Sequence, residues 1–137
     1  DIDQTALAQA ESGRYSAADM KCAPEHYRKK YFIESDGQFQ ARPEIRKYLS
    51  FQKQNLLEGK FGTGYDLIIC RNVVIYFTDA AKDQLYQKFL ASLKPGGILW
   101  VGGTERIAQY QQLGFESHLP FFYKKPANRE TTWRNAS

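Results

Sequence analysis

Cysteine and histidine are scarce in this chain, with two of each among 137 residues. Cys22 and Cys70 stand far apart, without CxxC or HxxxH company, which argues against a disulfide framework or a zinc site and leaves two reduced thiols. Long hydrophobic runs are missing too. The longest, around Leu67 to Cys70 and Val73 to Phe77, are broken by Arg71 and Asn72 and fall far short of a bilayer span. No basic-then-apolar leader opens the sequence, so a soluble, cytoplasmic protein without membrane insertion is expected. Dense charge is also lacking. The net charge is +4, and basic residues gather only loosely in Arg28-Lys29-Lys30 and Lys124-Lys125. Without a Lys/Arg run or interleaved stacking aromatics, no nucleic-acid partner is expected, and an acidic protein partner is the more economical reading.

What the chain does have is enough apolar content, 42% hydrophobic and 15% aromatic, to build the core of one domain. Its most informative stretch is Tyr65-Asp-Leu-Ile-Ile-Cys-Arg-Asn-Val-Val-Ile-Tyr-Phe77. A run apolar on both faces, Tyr65 to Ile69, predicts a strand buried in the middle of an α/β sheet. Ligands of such sheets sit beyond the carboxyl ends of the strands, where Cys70, Arg71 and Asn72 fall.

Along the chain, residue 1 reads as the tail of a strand, followed by a helix capped by Asp3, faced by Leu7 and stopped by Gly13. Residues 14–43 change in texture. A helix is expected over Pro24 to Tyr31, and the Glu34-Ser-Asp-Gly37 turn leads into a strand at Gln38 to Arg42, a small hairpin-bearing insertion. A strand near Leu49 to Lys53 comes next, then the loop Asn55 to Gly59. After the Tyr65 strand, Thr78 caps a helix with Leu85, Phe89, Leu90 and Leu93 at helical spacing, ended by Lys94-Pro-Gly-Gly97. Gly97 to Gly103 reads as a buried strand, Thr104 to Gln112 as a short helix or turn, and Gly114 to Leu119 with Phe121 to Lys125 as a hairpin at the sheet edge. This order is the second half of a doubly wound sheet.

These residues resemble the C-terminal part of CheR-type chemotaxis receptor methyltransferases. The resemblance rests on Asp1-Ile-Asp3 before a helix, Ser12-Gly-x-Tyr15, Tyr31-Phe32, Asn55-Leu-Leu57, Leu93-Lys-Pro-Gly-Gly97 and Phe122-Tyr123-Lys124. Above all it rests on Cys70-Arg-Asn-x-x-Ile-Tyr-Phe77. It implies a partial class I, Rossmann-like fold that binds S-adenosylmethionine, with a terminal antiparallel hairpin and a small inserted β-subdomain. Residues 1–127 would be the C-terminal part of the methyltransferase domain, 14–43 the insertion and 128–137 a polar tail. The first strand and the glycine-containing cofactor loop are expected to lie outside this sequence, which would make the chain a fragment, inactive or weak by itself.

The implied activity is O-methylation of glutamate side chains on methyl-accepting chemotaxis receptors, with S-adenosylhomocysteine as product. By position, Asp1 matches the acid that bonds the ribose hydroxyls, and Asn55 and Leu56 match the adenine loop. Arg71 and Asn72 match the strand-end pair facing the methionine part and the substrate, and Tyr76 the tyrosine beside the transferable methyl. Plainer alternatives stand beside each: a helix-flanking acid at Asp1, a turn former at Asn55, a surface charge at Arg71, core packing at Tyr76. Glu34 stands where peptide-binding members carry an arginine, so a structural insertion is expected and not a receptor-tail site. His26 and His118 read as surface or hairpin residues, and Cys70 as packing. A small-molecule methyltransferase and a non-catalytic module that keeps the fold are the other readings.

Overall fold

The computed structural model describes residues 1–103 and 105–127; the expected tail, 128–137, and the start of the Thr104 segment lie outside the described residues. The chain forms two compact units, Asp1–Asn55 and Leu56–Ser137, each with an open sheet of its own in a mixed α/β arrangement.

In the first unit, α1 (Gln4–Ser12) begins where the Asp3 carboxylate accepts hydrogen bonds from the Thr5 and Ala6 amides, at 2.7 and 3.3 Å. It ends at Gly13, whose φ of 64° suits a residue without Cβ. Next come β1 (Arg14–Ser16), α2 (Glu25–Tyr31), β2 (Phe32–Ser35), β3 (Gln38–Ala41) and α3 (Pro43–Arg46). The strands are antiparallel in the order β1-β3-β2. Asp36 and Gly37, at φ 52° and 72°, form the two-residue turn that the twist of a hairpin favours. Leu7, Met20, Phe39 and Ala41 are buried.

The strand expected at Leu49 to Lys53 does not form. Leu49 and Phe51 are exposed, and the segment bonds Asp1 on either side of Lys53. The Asp1 amino group donates to the Gln52 carbonyl at 3.1 Å, and the Gln54 amide to the Asp1 carbonyl at 2.8 Å. Those are the two bonds that a parallel ladder makes about one residue. One bridge is too little to hold a strand.

The second unit contains β4 (Tyr65–Ile69), α4 (Asp79–Ser92), β5 (Leu93–Trp100), β6 (Glu116–Leu119) and β7 (Phe122–Lys124), in sheet order β4-β5-β7-β6. β4 and β5 run parallel, joined through α4, and the expected terminal hairpin supplies the antiparallel partners. Thr78 caps α4, its hydroxyl accepting from the Ala81 amide at 3.3 Å. The helix presses Leu85, Tyr86 and Phe89 onto one face of the sheet, in a core with Val74, Leu99 and Val101.

Two expectations change here. β4 is an edge strand of its sheet and is largely exposed. The register puts Leu67 beside Ile98, and Ile69 beside Trp100 and Phe122, on the face opposite Leu99 and Tyr123. Leu67 and Ile69 are accordingly 50% and 55% exposed. The second change concerns Lys94 to Gly97, which does not separate helix from strand but lies inside β5. Tyr65 pairs with Leu93, yet Leu67 pairs with Ile98, so the extra residues bulge out of the ladder. Gly97 permits this, since a Cβ there would stand 2.9 Å from the Lys94 carbonyl oxygen and 3.0 Å from that of Tyr65.

Candidate active site

Beyond Ile69 the ladder continues for one residue, the Cys70 amide donating to the Trp100 carbonyl at 2.9 Å. The thiol is buried, and that burial, with the Glu105 charge nearby, pushes its pKa up to about 11. At neutral pH Cys70 is a protonated packing group and no nucleophile. Asn72 then takes a left-handed conformation, φ 57°, which asparagine tolerates better than most residues.

Arg71, between them, is held on the sheet. Its guanidinium carbon lies 5.4 Å from the centre of the Trp100 ring, and that indole stacks on Phe122 at 5.5 Å with 3° between planes. Gly102, at φ 95°, leaves the room, because a Cβ there would come within 3.2 Å of Arg71 Nε. No carboxylate pairs with Arg71 among the described residues.

The chain next makes a single 3₁₀ turn, Val74–Tyr76, anchored by Val74 in the core. Val74 points in and Tyr76 points out, 83% exposed. The plainer reading of Tyr76 as core filler is therefore not met. Leu56, in the same unit, packs against the hydrophobic core. Lys88 of α4 fixes the loop after it, donating to the carbonyls of Leu57 and Gly59. Asp1 and Asn55 belong to the first unit. One Asp1 carboxylate oxygen accepts from the Asp3 amide at 2.9 Å, and Asn55 is half-buried. His26 and His118 are exposed, on α2 and β6.

Trp100, Gly102 and Glu105 escaped the sequence reading. Trp100 looked like one more apolar strand residue, and only the β4–β5 register puts it beside Arg71. The glycine pair after the strand was the available signal for a close approach. Glu105 has both carboxylate oxygens buried without a hydrogen-bond partner, and its charge adds to burial in raising the pKa of the Tyr86 hydroxyl.

Residues 1–119 match the family described as CheR methyltransferase, SAM binding domain. The chain belongs to that family. S-adenosylmethionine is the cofactor of the CheR domain so matched. A chemotaxis protein methyltransferase of Listeria innocua is 41% identical over 125 residues, covering 91% of this chain and 48% of the relative. One from Klebsiella aerogenes is 34% identical over 80% of this chain and 40% of its own length. Another, from Borreliella burgdorferi, is 34% identical over 91% of this chain and 44% of its own. The chain thus spans about half the length, or less, of the curated relatives it matches.

Proposed function

We propose that this chain is the C-terminal part of a cytoplasmic methyltransferase domain that esterifies glutamate side chains on methyl-accepting chemotaxis receptors. Residues 14–43 would be its inserted β-subdomain. The observation that carries the reading is Arg71: a cation at the carboxyl end of β4, braced on Trp100, with no carboxylate partner among the described residues. Relatives named chemotaxis protein methyltransferase support the reaction class. The exposed, apolar edge of β4 suits a further strand beside it, as a Rossmann-like sheet requires.

S-adenosylmethionine supplies a methyl group carried on a sulfonium. The chain's residues fit such a ligand in chemistry. Arg71 would hold a carboxylate, of the cofactor or of the substrate glutamate, by charge-assisted bonds, and Asn72 would add a neutral amide. Leu56 offers an apolar face and Asn55 a polar edge to the adenine, and Asp1 an acceptor to the ribose hydroxyls. A glutamate is ionised at neutral pH, so no general base is asked of the chain. Alignment and exclusion of water from the carboxylate are what remains for the protein to do. Tyr76, whose ring is exposed, would order the reacting carboxylate beside the methyl group.

Methyl incorporation into a chemoreceptor cytoplasmic domain by the full-length protein carrying this chain tests the proposal. Arg71→Ala should lower kcat/KM by more than about tenfold, about 1.4 kcal/mol of transition-state stabilisation, with little change in melting temperature. Label entering a small molecule and not the receptor would favour a small-molecule methyltransferase; no turnover with any acceptor would favour a non-catalytic module.

A further inference from the structure

The brace under Arg71 is aromatic and not ionic. An arginine at the end of a strand has a long side chain with many rotamers, and the turn through Asn72 does nothing to restrict it. Three neighbours do. The Trp100 ring lies within the range at which an aromatic face attracts a guanidinium. Phe122 stacks flat on the same indole and so fixes its plane. Gly102 clears the path for the arginine stem. A salt bridge would have fixed the cation equally well but would have neutralised it; an aromatic face orients it and leaves its charge and N–H groups for a ligand.

We infer that Trp100 is a positioning residue for Arg71, holding the guanidinium in the orientation that receives a carboxylate before the ligand arrives. The inference rests on the reading of Arg71 given above and adds to it a residue that touches neither substrate nor cofactor. Pre-organisation of this sort lowers the cost of ordering the clamp on binding.

Two measurements on the full-length protein carrying the chain test it. The first reads the contact without catalysis. With Trp133 and any tryptophan outside these 137 residues replaced by Phe, Trp100 is the one fluorophore of its kind, and adding Arg71→Ala should then change its emission. Identical spectra would overturn the inference. The second is a cycle of kinetic variants. Trp100→Met keeps the bulk and removes the aromatic face; Trp100→Phe keeps a face. The Met variant should lose about tenfold in kcat/KM, mainly through KM, and the Phe variant no more than about twofold. In an Arg71→Ala background Trp100→Met should cost nothing further, because its effect runs through the missing cation. An equal loss in both backgrounds, or wild-type kinetics for Trp100→Met, would overturn it while leaving Arg71 in the site. Wild-type kinetics for Arg71→Ala would instead remove the site reading and the inference together. Should the Trp100 variants not fold, the emission comparison, which keeps Trp100, decides.

Discussion

The phenol of Tyr123 accepts a hydrogen bond from the Ile107 amide at 2.9 Å inside the core of the second unit. It ties β7 to the irregular segment that follows β5, and both residues are almost wholly buried. Tyr123→Phe keeps the ring contacts with Tyr110 and Phe115 but strands a buried N–H. The expected cost is about 1–3 kcal/mol, read from the midpoint of a denaturant titration.

The two thiols should separate by reactivity. Cys22 is exposed and Cys70 buried, so near about pH 8 a thiol reagent should modify one cysteine per native chain and two after unfolding. Modification of Cys70 at the same rate as Cys22 would contradict the burial described.

The raised Cys70 pKa has a sign. Folding favours the neutral thiol, so its contribution to stability is complete below the ordinary value of 9.0 and is lost as pH rises through about 11. The fall in melting temperature across that interval should be smaller in Cys70→Ala than in the parent. Parallel curves would mean that the thiol ionises alike in the folded and unfolded chain.

Gly97→Ala places a methyl against two backbone carbonyls, at 2.9 and 3.0 Å. Backbone cannot swing aside as a flexible side chain would, so overpacking of about 1–3 kcal/mol is expected. Gly37→Ala meets nothing within 4 Å; its cost comes from its positive φ of 72° alone, so it should be the milder change. Thermal melts of the pair give the comparison.

Tyr76→Phe tests a site role cleanly because the ring is 83% exposed. Stability should stay within about 0.5 kcal/mol of the parent. Turnover at saturating cofactor should fall more than cofactor affinity does, the pattern of a contact made chiefly in the transition state. Unchanged turnover would remove the hydroxyl from the mechanism.

Where a local signal was self-sufficient, sequence and structure agree. Asp3 and Gly13 bracket α1, Asp36-Gly37 makes the hairpin, and Thr78 starts α4. Each acts within a few residues of itself. What failed depended on neighbours. Leu49 to Lys53 has strand composition but a single bridge to Asp1. Tyr65 to Ile69 has the composition of a central strand yet lies at the edge of its sheet. The place of Arg71 and Asn72 just beyond β4 was legible from the motif, because the turn after a strand is local. Trp100 was not, since its meeting with Arg71 depends on a cross-strand register that no short window of residues reveals.

The open flank of β4 has a practical side. An edge strand that no other strand covers among the described residues, with Leu67 and Ile69 half bare, is a template on which another copy can pair. Lys94 guards one end, its ammonium 2.8 and 2.9 Å from the two Asp66 oxygens, but nothing charged stands between Leu67 and Ile69. Handled as purified material, the chain should therefore scatter light increasingly with concentration, and a lysine at position 67, Leu67→Lys, should keep it clear. Colloidal behaviour is thus written into the same strand that carries Arg71 to its place.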